Sequence, residues 1–192
     1  MHYNLPNILT LLRIVMIPVF VVIYYLPVSW ANLVATVIFV LAAITDWLDG
    51  YLARRLKQTS TFGAFMDPVA DKLMVVVALI LLIERNPTPF AHIFMTLPAA
   101  VIIGREIVIS ALREWMAEIG ERTQVAVSTI GKIKTSVQML AIPFLIYQHD
   151  IGVLPVAETG ITFLYIAAVL TLWSMVIYLK AAWPLLIGSS EK

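Results

Sequence analysis

Four aspartates lie in one stretch of a chain that is otherwise sparing with acid. The stretch, residues 46–71, reads DWLDGYLARRLKQTSTFGAFMDPVAD, and its acids are Asp46, Asp49, Asp67 and Asp71. Carboxylate oxygens are the ligands that Mg²⁺ and Mn²⁺ prefer in proteins. The chain contains no cysteine, and no histidine lies near these acids in the sequence, so a zinc site is not expected. The acids therefore predict a site for divalent cations held by oxygen ligands.

The spacing of the aspartates strengthens this interpretation. Asp46 and Asp49 share a helix face, as do Asp67 and Asp71, because residues three or four apart are neighbours on a helix. Carboxylates brought this close repel one another and need positive charge between them. Two divalent cations supply that charge fully, and nearby bases supply part of it: Arg54, Arg55 and Lys72. The alternative is a solvated collar of acids at a helix end, but four acids at these spacings favour the metal site.

The helices that must position these acids are apolar. The chain is 61% hydrophobic and 13% charged, against roughly 25% charged residues in a soluble domain, which indicates a membrane protein. A helix needs about 20 apolar residues to cross the hydrocarbon core, and we expect an all-α integral membrane protein, a single domain over residues 1–192 with six transmembrane helices. The predicted spans are Ile8–Leu26, Trp30–Ala53, Pro68–Glu84, Ala91–Trp115, Gly131–Tyr147 and Pro155–Leu179.

The orientation follows from the basic residues. Nine of the 13 lysines and arginines fall at or beyond one set of helix ends, and only Arg85 falls in a loop on the other side. The positive-inside rule therefore predicts that both termini are cytoplasmic. Asp46 comes roughly 24 Å along the second span, and Asp67 and Asp71 begin the third. We therefore expect all four acids near the cytoplasmic face. The first span lacks a basic leader and a small-residue cleavage site, so we expect it to be retained. The net charge of +1 suggests no nucleic-acid partner.

Small residues accompany the acids. Gly50 directly follows Asp49 inside a predicted helix, where glycine costs about 1 kcal/mol relative to alanine. With Ala53 and Gly63 it would let a bulky ligand approach the backbone beside the acids. Close packing between membrane helices is an equally good explanation.

The combined pattern, D-x2-D-G-x2-A-R-x8-G-x3-D-x3-D, resembles the signature of the CDP-alcohol phosphotransferase family without a departure. The matching positions are Asp46, Asp49, Gly50, Ala53, Arg54, Gly63, Asp67 and Asp71. The resemblance implies a membrane enzyme that transfers a substituted phosphoryl group from a CDP-linked donor to an alcohol and releases CMP. It also implies a homodimer that uses Mg²⁺ or Mn²⁺, with two ions in the site.

The resemblance also implies roles for these residues. Asp46, Asp49 and Asp67 hold the metals and the donor pyrophosphate, and Asp71 is the general base and touches a metal. On the donor side, Arg54 steadies the pyrophosphate or the CMP leaving group. Gly50 and Ala53 leave room for the cytidine, and Gly63 belongs to the same donor-binding set.

Cations placed inside the apolar spans are candidates for acceptor binding. A buried arginine in a span is a functional hypothesis by default, and the fourth span holds Arg105, with Arg113 eight residues later. Cations converging on one pocket suit an acceptor that carries a phosphate. The candidate acceptor-phosphate residues are Thr10, Arg13, Arg105, Arg113 and Lys132. Alternatively, Arg105 forms a structural ion pair, with Glu106 orienting it. We expect Lys134 and Arg122 to contact lipid headgroups.

Three further segments, NLPNILTLLRI, GREIVISALRE and GKIKTSVQM, resemble the branch of this family that joins CDP-diacylglycerol to sn-glycerol 3-phosphate. That resemblance implies phosphatidylglycerol phosphate and CMP as products, and a bacterial inner membrane protein, surrounded by membrane lipids, whose active site faces the cytoplasm. A branch that uses inositol phosphate would also need cations, so charge alone does not separate the two. A cation- or proton-coupled transporter is the rival from another class, but transporters tend to place their sites near the midplane on broken helices.

Overall fold

The computed structural model describes residues 5–56, 61–119 and 129–188, and within these ranges the chain folds into six helices with no β-strand. The helices are α1 (Leu5–Tyr25), α2 (Ala31–Leu56), α3 (Thr61–Arg85), α4 (His92–Glu118), α5 (Thr129–Tyr147) and α6 (Val156–Gly188). The all-α prediction is confirmed for these residues.

Most helix ends lie within a few residues of the predicted spans, and two differ more. α3 begins at Thr61, seven residues before Pro68, and α6 continues to Gly188, beyond Leu179. A proline inside a helix is tolerated in membrane proteins because neighbouring groups compensate for its missing N–H. Pro68 was therefore a poor marker for the start of α3.

Four of the helices in the described part of the chain are long and apolar enough to cross a membrane. These candidate spans are Asn7–Tyr25, Ala31–Asp49, His92–Glu118 and Val156–Trp183. The apolar part of α5, Ile133–Tyr147, is shorter. Charged residues at the start of α3 and of α5 interrupt their apolar runs: Asp67, Asp71, Lys72, Lys132 and Lys134. Many large apolar side chains point outward, including Val15, Trp47 and Ile107, as expected for a surface that faces lipid.

Contacts at the helix ends establish which ends lie together. Arg85, the last residue of α3, donates to the carbonyl of Tyr24 at 2.7 Å, near the end of α1. Asn32, at the start of α2, donates to the side chain of Gln148 at 3.2 Å, just after α5. The opposite end of the bundle therefore holds the start of α1, the end of α2 and the starts of α3 and α5. All four aspartates lie on helix segments at that end.

The core sits where α1, α2, α3 and α5 meet, with α4 packed on α3 and α6, and α6 packed on α5. Its largest fully buried apolar side chains include Phe20, Phe39, Leu79 and Ile142. Left-handed backbone at Asn86 and Gln148, with φ of 36° and 65°, ends α3 and α5, a common way to stop a helix. The core thus holds α1, α2 and α3 together beneath the aspartates.

Candidate active site

Arg13 of α1 lies between the two aspartates of α2. Its Nη1 donates to Asp46 Oδ1 at 2.6 Å, and its Nη2 donates to Asp49 Oδ2 at 2.5 Å. Arg13 is 1% exposed and Asp49 is 3% exposed, whereas the Asp46 side chain is 39% exposed. The two acids therefore share one helix face, as their spacing predicted, and both accept hydrogen bonds from the same guanidinium group.

Arg13 was expected in an acceptor-phosphate pocket, and the structure places its guanidinium on the aspartates. Thr10, one turn earlier on α1, is fully buried. The packing of α1 on α2 explains this position, because Arg13 in the first half of α1 reaches Asp46 and Asp49 in the last half of α2. A role for Thr10 and Arg13 in phosphate binding stays a prediction.

The donor set of Asp46 and Asp49 fits a divalent cation. Two carboxylates whose oxygens converge on one positive group present the chemistry that Mg²⁺ and Mn²⁺ require. Asp67 and Asp71 lie on the first turns of α3, which packs against α1 and α2, but their side chains fall outside the described part of the structure. No cluster of three acidic or histidine side chains occurs among the described residues.

Other predicted site residues also lie outside the described side chains. Their backbone belongs to α2, α3 or α5, which places them at the same end of the bundle as the aspartates. They are Gly50, Ala53 and Arg54 on α2, Gly63 on α3, and Lys132 on α5. Arg122 falls between the described ranges.

A groove of about 530 Å³ runs between α2 and α5 and ends at Asp46. Its wall is mostly apolar, with polar groups near the aspartate end. The lining residues are Phe39, Val40, Ala43, Ile44, Asp46, Trp47, Thr135, Ser136, Met139, Leu140, Pro143 and Phe144. The groove can therefore accept an apolar chain that is attached to a polar group.

A second, polar cavity of about 70 Å³ lies between α3, α4 and α5. Glu106 lines this cavity. Its Oε1 accepts hydrogen bonds from Lys134 Nζ at 2.5 Å and from Arg105 Nη1 at 3.0 Å. Lys72 donates to the Ser110 hydroxyl, which in turn donates to the Glu106 carbonyl at 2.6 Å. The alternative expectation for Arg105 is therefore confirmed in geometry, because Glu106 forms an ion pair with it. A role for Arg105 in acceptor binding stays a prediction.

The expectation that Lys134 contacts lipid headgroups is wrong. Lys134 is 3% exposed, and its ammonium is paired with Glu106 inside the bundle. The negative charge of Glu106 provides a partner that the sequence does not reveal, because the two residues lie on different helices. Buried charges are retained only when paired in this way.

Arg105 and Arg113 converge on one tyrosine of α6. Their guanidinium carbons lie 5.6 and 5.3 Å from the ring centroid of Tyr178, and Arg113 Nη2 donates to the Tyr178 hydroxyl at 3.1 Å. Arg105 Nη2 also donates to Ser174 Oγ at 3.3 Å. The eight-residue spacing of the arginines agrees with this, because residues eight apart lie close to one face of a helix. The sequence reasoning missed Tyr178 and Ser174, although two polar residues four apart in an apolar span were a usable signal.

The groove and the polar cavity meet along one stripe of α5. Thr135 and Met139, one turn apart, line both of them. The bundle therefore offers an apolar site and a cationic site side by side, with Asp46 at the end of the first.

Residues 3–177 match the family model described as CDP-alcohol phosphatidyltransferase. A protein of Sodalis glossinidius (strain morsitans) is 59% identical over 182 residues, which cover 95% of this chain and 96% of the relative. Proteins of Salmonella typhimurium (strain LT2) and Escherichia coli (strain K12) are 54% and 53% identical, with the same coverage. All three are named CDP-diacylglycerol–glycerol-3-phosphate 3-phosphatidyltransferase.

Proposed function

Because this chain belongs to the CDP-alcohol phosphatidyltransferase family, we propose that it transfers the phosphatidyl group of CDP-diacylglycerol to sn-glycerol 3-phosphate. The products are phosphatidylglycerol phosphate and CMP. The observation that carries this function is the identity of 53–59% with relatives of that activity, over 95% of the chain. The aspartate signature and the adjoining cationic cavity agree with it in chemistry.

The donor site is proposed at the aspartate end of α2 and α3. Two ions of Mg²⁺ or Mn²⁺ would be held by the four aspartates, Asp46, Asp49, Asp67 and Asp71. The positive charge of these ions would offset the repulsion between the pyrophosphate and an incoming oxygen. Arg54 pairs with the pyrophosphate or with the departing CMP. Gly50, Ala53 and Gly63 leave the backbone open to the nucleotide.

The diacylglycerol part of the donor is proposed to lie in the groove between α2 and α5. The apolar wall suits acyl chains, and the polar end at Asp46 and Ser136 suits the phosphate to which they are attached. Burial of apolar surface stabilises the bound lipid by about 25 cal/mol per Å². This arrangement brings the reacting phosphorus to the aspartates.

The acceptor phosphate is proposed to bind the cations of α4 and α5: Arg105, Arg113 and Lys132. Thr10 and Arg13 are proposed to contact substrate phosphates from the α1 side. The free hydroxyl of the acceptor then faces the aspartates, where the Asp71 carboxylate takes its proton. The hydroxyl oxygen forms a bond to the phosphorus that carries diacylglycerol. The bond from that phosphorus to the CMP oxygen breaks, and CMP leaves with the electron pair.

We further propose six transmembrane helices with both termini in the cytoplasm of a bacterial inner membrane, and a homodimer. Four apolar helices support the membrane location, and the clustering of basic residues supports the orientation. The aspartate end then faces the cytoplasm, where a water-soluble acceptor and CMP are accessible.

An acceptor panel tests the function. Purified protein is incubated with radiolabelled CDP-diacylglycerol, Mg²⁺ or Mn²⁺, and one of glycerol 3-phosphate, inositol phosphate, serine or inositol. We expect CMP release and a labelled lipid with glycerol 3-phosphate, and loss of both when EDTA removes the metal. Turnover with inositol phosphate alone would assign the chain to the other branch, and ion flux without CMP release would favour a transporter.

A further inference from the structure

Gln138 of α5 holds a buried polar atom for which the described part of the chain offers no hydrogen-bond partner. The side chain is 4% exposed, and within the described part of the chain its Oε1 accepts no hydrogen bond. A buried acceptor without a donor destabilises a folded protein, so most such atoms in native proteins are satisfied. Gln138 lines the polar cavity together with Lys72, Glu106 and Lys134, which suggests that the missing donor belongs to a ligand.

The other groups of the cavity define the chemistry of that ligand. Two ammonium groups, from Lys72 and Lys134, face one carboxylate, that of Glu106, so the cavity wall is positive. Lys134 donates a hydrogen bond to Glu106, and Lys72 donates one to Ser110. The wall therefore favours a ligand that carries negative charge, and Gln138 Oε1 requires an O–H or N–H group on that ligand.

The size of the cavity limits the ligand further. A water needs at least about 10–15 Å³ of cavity volume, so a cavity of about 70 Å³ holds at most about five to seven waters. A three-carbon polyol has a similar number of heavy atoms, whereas an inositol ring with its hydroxyls has about twice as many. The cavity therefore fits the glycerol part of a small hydroxylated phosphate.

We propose that Gln138 recognises the acceptor hydroxyl that does not react, and that it is a specificity-determining residue. In glycerol 3-phosphate this is the C2 hydroxyl, which donates to Gln138 Oε1 while the C1 hydroxyl attacks the donor. Thr135 and Met139 separate this cavity from the groove that ends at Asp46, so a molecule held here lies beside the donor. The inference rests on the proposed function and identifies Gln138 Oε1 as the group that recognises the acceptor.

The test compares two acceptors that differ at one group. Propane-1,3-diol monophosphate keeps the phosphate and the reacting hydroxyl of glycerol 3-phosphate but lacks the C2 hydroxyl. We expect the wild-type protein to prefer glycerol 3-phosphate by about 10- to 100-fold in kcat/KM, because the analogue leaves Gln138 Oε1 unsatisfied.

Substitutions at Gln138 separate recognition from folding. Gln138→Met keeps the length of the side chain without the acceptor atom. We expect the ratio of kcat/KM for glycerol 3-phosphate to kcat/KM for the analogue to fall to within about threefold of one, because activity on glycerol 3-phosphate is lost. Gln138→Glu keeps an acceptor and should keep the preference, with a higher KM for both anionic acceptors. Thr171→Val is the matched control, since Thr171 Oγ1 is also buried without a partner in the described structure but lies outside this cavity.

Each outcome bears on the inference. A wild-type protein that uses both acceptors equally overturns it without any variant, as does a preference that survives in Gln138→Met. If Gln138→Met does not fold, the wild-type comparison and Gln138→Glu still decide, because lost preference in a folded, active Gln138→Glu protein contradicts recognition by the acceptor atom. No CMP release with glycerol 3-phosphate in wild type would instead refute the proposed function.

Discussion

Replacing Arg13 with methionine tests whether the acids of α2 form a cation site. Arg13 is almost completely buried and bonds Asp46 and Asp49 at 2.6 and 2.5 Å. Methionine keeps much of the apolar stem, which contributes to packing, and removes the charge. Without a divalent cation, the variant removes the guanidinium that bonds both carboxylates.

The expected loss of stability follows from the burial of these groups. Removing one partner of a buried ion pair costs about 3–5 kcal/mol, and the partial exposure of Asp46 favours the lower end, about 3 kcal/mol. In a protein of this size, 1 kcal/mol lowers Tm by about 2–4 °C, so Arg13→Met should lower Tm by roughly 6–12 °C in EDTA. With saturating Mn²⁺ the drop should be less than half as large, because the ion replaces the guanidinium.

Mn²⁺ affinity provides an independent measurement. Two unit charges 4 Å apart repel by about 4 kcal/mol at an effective dielectric of 20, so Arg13 opposes a cation on the same carboxylates. We expect Arg13→Met to bind Mn²⁺ at least about tenfold more tightly in an electron paramagnetic resonance titration. Weaker binding, together with an equal loss of Tm in EDTA and in Mn²⁺, would refute the reasoning and make Arg13 a group that only orients the acids.

The matched control is Arg85→Met. Arg85 is also a cation at a helix–helix contact, but it packs 5.1 Å from the rings of Tyr24 and Tyr25 and donates to the Tyr24 carbonyl. These groups lie at the end of the bundle opposite the aspartates. Any loss of Tm in this variant should therefore be the same with and without Mn²⁺.

Three further substitutions test the base, the acceptor cations and the packing. Asp71→Asn should lower turnover by at least about 100-fold with little change in metal-dependent donor binding, and near-normal CMP release would exclude Asp71 as the base. Tyr178→Leu should raise the KM for glycerol 3-phosphate more than Tyr178→Phe, which keeps the ring, and an equal KM in both variants would argue against the ring contacts. Gly160→Ala should lower Tm by about 2–12 °C, since its Cβ would lie 2.9 Å from Leu145 Cγ and such overpacking costs about 1–3 kcal/mol. Gly104→Ala is its control, with no atom within 4 Å, and an equal drop in the two variants would contradict the packing argument.

The positions of the helices were largely predictable from the sequence. α1, α2, α4 and α5 begin and end within a few residues of the expected spans, because an apolar run bounded by turn residues is a local property of the chain. The start of α3 was less predictable. Pro68 suggested a boundary, yet the helix begins at Thr61, since packing with neighbouring helices outweighs the local preference of one proline.

The partners of the polar groups depended on distant parts of the chain. Lys134 was expected at the lipid headgroups and is paired with Glu106 of another helix. Arg13 was expected with the acceptor cations and lies on Asp46 and Asp49. A long basic side chain reaches several neighbours, so its own sequence context does not determine which acid it meets.

The sequence by itself determined the membrane class, the shared helix face of Asp46 and Asp49, and the family, because composition, helical period and motif spacing are all read along one chain. The tertiary structure alone decided that Arg13 joins the two acids of α2, that Tyr178 holds Arg105 and Arg113 together, and that Gln138 faces a small cationic cavity. These are contacts between separate helices. They arise from the way the helices pack, which is set by the whole buried core and not by any local segment.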